Sequence, residues 1–171
     1  MIGILEKIDN ISKKQHDASS ALIVSNNHLG DLMILLLKHH KIGKWIPIGG
    51  HVERFESLES AVIRELEEEI GTSPIYWFDK NFRNWSPVPV VFGEKLEEIP
   101  SPDKGETHFH RDFIYLAIID YCPVENFTGR MKDRVKWVKL EEALKIDLSE
   151  TTKETLELLD DLKKYKDELL G

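Results

Sequence analysis

The sequence has almost no cysteine, no long apolar run and a shortage of cations. Cys122 is the only cysteine in 171 residues, which excludes an internal disulfide and a cysteine-based zinc site. We therefore expect a reducing compartment and a cytoplasmic location. The longest apolar run covers residues 32–37, which is far too short to span a bilayer. No membrane partner is expected.

The charge balance restricts the classes of partner. Lysine and arginine together number 23, against 31 aspartates and glutamates, for a formal net charge of −8. Such a surface disfavours general binding to nucleic acid or to anionic membranes. It does not exclude an anionic small molecule held through a metal ion, because local acidity would then be a requirement.

The length of the chain fits a single domain, residues 1–171, built around one core. Apolar residues at helical spacing predict a short N-terminal helix at about 2–14 and an amphipathic C-terminal helix at about 150–170. Strands are predicted at residues 20–25, 32–40, 75–78, 87–92, 108–121 and 134–140. Residues 79–107 are otherwise predicted to form a long irregular insertion, because they are rich in proline, glycine and charge. This order of elements indicates an α+β fold, an α/β/α sandwich.

A central helix is predicted at about residues 58–70, with Ser57 as its cap and Gly71 as its stop. Four apolar residues form a stripe that can pack against a sheet: Ala61, Val62, Leu66 and Ile70. Three carboxylates gather on another face at spacings of three and four: Glu65, Glu68 and Glu69. The helix is therefore predicted to be anchored on one side and strongly acidic on another.

The acidic face needs a compensating positive charge. Each like-charge pair at this spacing costs a few tenths of a kcal/mol, and Arg64 can reach Glu68 but cannot balance three carboxylates. Clustered carboxylates suit Mg²⁺ or Mn²⁺, and the flexible pair Gly49-Gly50 could bring a backbone carbonyl to the same ion. Taken alone, the segment at 65–69 is better interpreted as a solvated acidic face. The longer pattern around it changes that interpretation.

Residues 50–72 resemble the Nudix box, G-x5-E-x7-R-E-U-x-E-E-x-G-U, where U is a bulky apolar residue. Every fixed letter is present, and the one departure is Thr72 at the last position. That departure bears on loop packing more than on metal binding. The lead-in WIPIGGHVE at 45–53 and the segment VKWVKLEEAL at 135–144 are also similar to family sequences. The resemblance covers residues 17–145.

The resemblance implies a Nudix-like mixed sheet between helices and a metal-dependent enzyme. Nudix enzymes hydrolyse a pyrophosphate bond in a nucleoside diphosphate linked to another group, with Mg²⁺ or Mn²⁺ as cofactor. The partner implied is therefore a small nucleotide-type substrate. Dimers are common in the family, so a homodimer is one option and the oligomeric state stays open. By position, the metal ligands are Glu65, Glu68, Glu69 and the Gly50 carbonyl. Arg64 completes the implied catalytic set by orienting a carboxylate through charge-assisted hydrogen bonds.

The other carboxylates leave two questions open. Glu56 lies just before the predicted helix, where it serves either as a ligand or as structural support. The general base differs among family members: some use a glutamate of the box and others a carboxylate from a later loop. The candidates outside the box are Asp120, Glu125, Glu94, Glu97 and Glu98.

Histidines cluster in two places. His108, His110 and Asp112 alternate along a predicted strand and so share one face, while His51 follows the glycine pair. Three interpretations stay open for the strand histidines: a separate transition-metal site, contacts to substrate phosphates, or an exposed polar strand end. We expect His51, His108 and His110 to bind substrate.

Two alternatives to a hydrolase stay open. One is a catalytically silent Nudix-fold module that binds a nucleotide or a protein partner, and the other is an isomerase on the same fold. The complete carboxylate set favours hydrolysis, because a retired site need not keep mutually repelling glutamates. The box does not rank a (d)NTP, ADP-ribose, a nucleotide sugar, a dinucleoside polyphosphate and a capped RNA end as substrates. The number of metal ions is equally open.

Overall fold

A computed structural model describes residues 15–74, 76–81, 84–100 and 107–162. The N-terminal helix predicted at about 2–14 lies outside the described residues, as do positions 163–170 of the predicted C-terminal helix. No helix in the described ranges is long and apolar enough to cross a membrane.

Nine strands, three α-helices and two short 3-10 helices make up the described part of the chain. The strands are β1 (Gln15–Asn26), β2 (Leu32–Lys38), β3 (Trp45–Ile46), β4 (Ile48–His51), β5 (Tyr76–Asp79), β6 (Asn84–Ser86), β7 (Val91–Pro100), β8 (Thr107–Ile118) and β9 (Val135–Lys139). The helices are α1 (Leu58–Ile70), α2 (Leu140–Ala143) and α3 (Glu150–Leu162), and the 3-10 turns are Val124–Asn126 and Lys132–Arg134.

All nine strands join one mixed sheet whose main path runs β3-β2-β1-β8-β5-β6. The two longest strands, β1 and β8, pair in parallel at its centre, while β4 pairs antiparallel with β1. Strand β9 pairs with β2 and β7 pairs with β8, both antiparallel. The predicted mixed sheet of an α+β fold is confirmed.

Each face of the sheet carries its own core. Side chains alternate along a strand, so successive residues of β1 point to opposite faces. One face packs under α1, with Ala21, Ile23, Val62, Leu66 and Ile70 in a single buried cluster. The other packs under α3, with Leu22, Val24, Leu156 and Leu159 in a second cluster. The sheet therefore lies between helices, as the predicted sandwich requires.

The prediction of an irregular insertion at 79–107 is wrong for much of that range. Strand β7 runs antiparallel to β8 from the Val91–Tyr115 pair to the Pro100–Thr107 pair. This pairing satisfies backbone groups on one side of β8 that would otherwise need water. The strand predicted at 87–92 begins only at Val91, and Pro87 and Pro89 lack the N–H that a ladder needs.

Phe55 has an unusual backbone conformation just before α1. Its φ of 69° is the only positive value at a non-glycine residue in the described ranges. The side chain is 93% exposed and its ring lies 4.7 Å from the Arg54 guanidinium carbon. A left-handed conformation costs an L-residue about 1–2 kcal/mol, and little packing offsets that cost here.

Phe55→Gly is therefore expected to raise the free energy of unfolding by about 1 kcal/mol, because glycine adopts this φ without strain. Urea denaturation of the metal-free protein measures the change. The matched control is Leu29→Gly, at an exposed apolar residue whose φ is not positive. The control should have a lower free energy of unfolding than the wild type. An equal decrease in Phe55→Gly would contradict backbone strain at Phe55.

Candidate metal and substrate site

Helix α1 is fixed at its N-terminus by its own sequence. The Ser60 N–H donates to Ser57 Oγ at 3.1 Å, so the predicted cap is confirmed. Gly71, with a φ of 74°, ends the helix in the left-handed conformation, as predicted. The two caps fix where the helix begins and ends, and with that the positions of Glu65, Glu68 and Glu69.

The loop of residues 128–131 is hydrogen-bonded to the C-terminal end of α1. The N–H groups of Thr128, Arg130 and Met131 donate to the carbonyls of Ile70, Glu68 and Glu69 at 3.2, 2.8 and 2.8 Å respectively. These carbonyls have no partner within the helix, so the loop satisfies them. Gly129 permits the contact, because a Cβ there would lie 2.2 Å from the Glu69 carbonyl carbon. The loop therefore has a fixed position beside the acidic face.

Of the three glutamates on the acidic face of α1 (Glu65, Glu68 and Glu69), two are buried against the glycine pair in β4. Glu65 and Glu69 expose only 6% and 5% of their surface. A Cβ on Gly50 would lie 2.4 Å from Glu65 Oε1. The backbone of Gly49 acts to lower the pKa of the Glu69 carboxyl, against the larger effect of burial. Only glycine at position 50 leaves room for the Glu65 carboxylate. The Glu68 side chain is 42% exposed.

Arg64 is held by several acceptors at once. Its Nε and Nη2 donate to the two carboxylate oxygens of Glu56 at 2.8 and 3.0 Å. Its Nη1 donates to Glu65 Oε1 at 2.8 Å, and its Nη2 also donates to the His51 carbonyl at 3.0 Å. Glu68, which the sequence suggested as a partner, lies 3.7 Å away. Arg64 thus links the loop before α1 to a buried carboxylate of the helix.

Glu56 supports Arg64. Both of its oxygens accept from that guanidinium, and Oε2 also accepts from the Glu53 N–H at 3.0 Å. Hydrogen bonding to Arg64 lowers the pKa of the Glu56 carboxyl from its ordinary value. Of the two roles left open for Glu56, these contacts favour structural support.

Arg130 is the residue of this site that sequence reasoning missed. Its Nη1 lies 3.0 Å from Glu68 Oε2. Its Nη2 lies 3.3 Å from Glu65 Oε2 and 4.0 Å from Glu69 Oε1. The guanidinium therefore lies among all three glutamates, although the Arg130 side chain is 55% exposed. No spacing in the sequence indicates this contact, because Arg130 lies in a loop far along the chain.

The charges of the cluster do not balance. Four carboxylates (Glu56, Glu65, Glu68 and Glu69) share two guanidiniums, those of Arg64 and Arg130. Burial, followed by the charge of Glu65, raises the pKa of Glu69 to about 7. Glu69 Oε2 is buried and has no hydrogen-bond partner in the described residues. An unpaired oxygen and an excess of two negative charges fit a divalent cation with oxygen ligands.

The side chains of Glu65, Glu68 and Glu69 do not converge on a common point in this structure. In the described residues, no three His, Cys, Asp or Glu side chains are arranged to hold a metal ion. The carboxylates of Glu65, Glu68 and Glu69 instead surround the Arg130 guanidinium. A divalent ion could take that place only after the guanidinium moves.

The histidines form a separate cluster on the other face of the sheet. Gly50 faces α1, so the next residue, His51, faces the opposite side. There His51 Nε2 lies 3.1 Å from His110 Nε2, and the two ring centroids are 4.6 Å apart. His16, which the sequence did not single out, adds a third ring 5.9 Å from that of His51. The side chain of His108 is outside the described part of the structure.

Asp112 lies on the histidine side of the sheet, under α3. Ser20 Oγ donates to Asp112 Oδ2 at 2.9 Å, while Oδ1 is buried and has no partner among the described residues. Burial raises the pKa of Asp112 to about 6. Asp112 lies two residues after His110 on β8, so the two side chains share the face of the sheet opposite the glutamates.

The candidate bases outside the box, Asp120, Glu125, Glu94, Glu97 and Glu98, stay predictions. Glu94 lies 3.9 Å from Arg111, and the side chains of Glu97 and Glu98 are outside the described part. The contacts described above join the box glutamates, Arg64, Arg130 and the glycine pair in one site.

The fold and this site define a class of domain. The sequence model described as the NUDIX domain matches residues 14–159. The chain therefore belongs to the Nudix family. It is a Nudix-type pyrophosphohydrolase, an enzyme that acts on acid anhydrides.

Solved structures show the same fold. A NUDIX family hydrolase from Clostridium perfringens is 26% identical with a TM-score of 0.62, covering 84% of this chain and 97% of that chain. The Ap4A hydrolase of C. elegans is 21% identical with a TM-score of 0.55, covering 88% and 97%. The NUDIX domain of Shewanella oneidensis NrtR, complexed with ADP ribose, is 21% identical with a TM-score of 0.60, covering 92% and 96%. A comparison with curated proteins gave no match.

The pKa of Glu69 predicts a pH dependence of stability in the metal-free protein. A folded-state pKa of about 7, raised from 4.5, stabilises the fold below pH 4.5, and this contribution is lost as the pH rises to 7. Glu69→Gln removes the ionisation. In EDTA its unfolding free energy should exceed that of the wild type by an amount that grows between pH 5 and 7, reaching on the order of 2 kcal/mol at pH 8.

Urea denaturation at pH 5, 6, 7 and 8 measures this difference. Glu67→Gln is the matched control, because the exposed Glu67 side chain bonds Ser73 and lies outside the ion-pair cluster. A difference between Glu69→Gln and wild type that is the same at all four pH values would contradict a buried, uncompensated carboxyl.

Proposed function

We propose that this protein hydrolyses a pyrophosphate bond in a nucleoside diphosphate linked to another group, and that it needs Mg²⁺ or Mn²⁺. One observation carries the proposal: two buried glutamates face a glycine pair, and one of their oxygens has no partner among the described residues. Burying carboxylates in this way is costly unless a cation joins them. A substrate that carries several negative charges needs the same cation.

Four groups would hold the metal: the carboxylates of Glu65, Glu68 and Glu69 and the carbonyl of Gly50. The ion would supply charge neutralisation and Lewis-acid polarisation at the phosphoryl oxygens. In the overall reaction an oxygen of water bonds to one phosphorus, the bridging P–O bond breaks, and the products are two phosphate compounds.

The other residues of the chain prepare these ligands. Arg64 holds Glu65 by one hydrogen bond at 2.8 Å and is itself fixed by both oxygens of Glu56. The missing side chain of Gly50 leaves space for the Glu65 carboxylate. Such supporting contacts keep ligands in place before metal and substrate arrive.

The histidine cluster is proposed to bind the part of the substrate remote from the metal. His51 and His110 lie on the α3 side of the sheet, while the glutamates lie on the α1 side. Strand β4, which separates the two groups, pairs with β1 alone among the described strands. A ligand that reaches both must pass around β4, and an elongated nucleoside diphosphate derivative has the length to do so. His108 is proposed to belong to the same subsite.

The similar structures support a nucleotide-type substrate. One is an Ap4A hydrolase and another is complexed with ADP ribose. These compounds share a nucleoside joined to a phosphate anhydride, which is the chemistry proposed for this chain. The cytoplasmic location stays a prediction, and the oligomeric state, with a homodimer as one option, stays open.

The first test is a panel of nucleoside pyrophosphate compounds incubated with Mg²⁺ or Mn²⁺, with products resolved by mass. We expect cleavage of at least one compound, none in EDTA, and a loss of kcat of about 100-fold or more in Glu69→Gln, because a metal ligand is removed. Glu67→Gln should retain wild-type activity. Equal rates for Glu69→Gln and wild type would contradict the ligand role. A product of unchanged mass would indicate an isomerase, and binding without turnover would indicate the silent module.

The second test separates the two halves of the site. His51→Ala and His110→Ala should each raise KM by about tenfold, because a hydrogen bond to a charged group is lost, and should leave Mn²⁺ affinity within twofold of wild type. His40→Ala, at an exposed histidine outside the cluster, is the control. Unchanged KM in both variants would contradict substrate binding by these histidines, whatever the metal does.

A further inference from the structure

The described glutamate cluster already contains a cation of the chain's own. The guanidinium of Arg130 contacts Glu68 at 3.0 Å, Glu65 at 3.3 Å and Glu69 at 4.0 Å. These are the carboxylates that the proposed metal ion needs. We propose that Arg130 is an exchangeable counter-cation: it neutralises the glutamates in the metal-free protein, leaves them when the divalent ion binds, and then contacts the substrate's phosphoryl oxygens. This inference rests on the proposed metal-dependent function.

Arg130 can move while its backbone stays in place. Its N–H donates to the Glu68 carbonyl at 2.8 Å, and the neighbouring N–H groups of Thr128 and Met131 bind the same helix end. The side chain, in contrast, is 55% exposed, and within the described residues its ion pairs are with glutamates alone. A fixed backbone with a long, exposed side chain keeps the guanidinium near the site after it leaves the carboxylates.

Arg64 cannot play this part. Its guanidinium is fixed by both oxygens of Glu56 and by the carbonyl of His51, in addition to Glu65. Releasing it would free the loop that leads into α1. Arg130 has no second set of acceptors of this kind in the described residues, so it is the cation that the metal displaces.

Displacement has a thermodynamic consequence. A ligand that must break existing ion pairs binds more weakly, by the free energy of those pairs. The apparent affinity of the glutamates for the ion is therefore reduced by Arg130, and removing Arg130 should raise it. In return, the metal-free protein is stabilised, because three close carboxylates are not left to repel one another.

The released guanidinium is chemically suited to the substrate. Arginine presents paired N–H donors that match two oxygens of a phosphoryl group, and it stays charged at any physiological pH. A phosphate anhydride bound at the glutamate cluster through the ion would lie beside Arg130. Arg130 thus lowers the apparent affinity for the metal ion, and once the ion has bound it raises the affinity for the substrate.

The test compares Arg130→Gln with the wild type in two measurements. Mn²⁺ affinity, measured by calorimetry without substrate, should increase by about threefold to tenfold. KM for a cleaved substrate at saturating Mn²⁺ should increase by about tenfold, with a smaller change in kcat. Thermal unfolding in EDTA should show a lower Tm, and the rise in Tm on adding Mn²⁺ should be larger than in the wild type.

Lys132→Gln is the matched control, because it removes the same charge two residues along and makes no ion pair with the three glutamates. It should leave Mn²⁺ affinity and KM unchanged. Equal or weaker Mn²⁺ binding by Arg130→Gln would overturn the inference, and so would an equal increase in Lys132→Gln, which would indicate a nonspecific charge effect. A wild-type protein that binds no Mn²⁺ would instead overturn the proposed function.

Discussion

The structure depends on burying two like charges, those of Glu65 and Glu69, against the backbone of β4. Ionised carboxylates at this depth are unfavourable unless hydrogen bonds or cations compensate them. Compensation comes from the guanidiniums of Arg64 and Arg130. It is incomplete, since a buried oxygen of Glu69 has no partner in the described residues and the pKa of that group is raised to about 7. The remaining charge is what a divalent ion would neutralise.

Strand β4 organises both functional surfaces. Its four residues include Gly50, whose missing side chain admits Glu65 on one face, and His51, whose ring meets His110 on the other. Pairing with the central strand β1 keeps both surfaces in register with β8. Because successive residues of a strand face opposite sides, Gly50 can accept an acidic group from α1 while His51 projects away from it. The site is elongated for this reason.

Helix α1 could be predicted from sequence because its determinants are local. Ser57, Gly71 and the apolar stripe lie within one short segment, and all behave in the structure as the pattern predicts. The acidic face is likewise readable from spacing within the helix. The sequence also indicated that one guanidinium cannot balance three carboxylates, which is the imbalance that the structure contains.

Arg130, His16 and β7 could not be predicted because their determinants are distant along the chain. Arg130 contacts Glu65 across 65 residues, and His16 meets His110 only because β1 pairs in parallel with β8. Strand β7 carries several charged residues and a weak apolar pattern, so its conformation follows from the edge that β8 offers. Position within a sheet or beside a helix end decides such contacts, and no local rule of propensity or spacing encodes it.

The central claim is that the acidic face of α1 holds a divalent ion against the backbone of β4. Anomalous diffraction from a crystal soaked in Mn²⁺ tests this most directly. We expect a peak ligated by Glu65 and Glu69 beside Gly50, with the Arg130 guanidinium withdrawn from both carboxylates. Full manganese occupancy elsewhere in the crystal, with Arg130 still bound among bare glutamates, would contradict it.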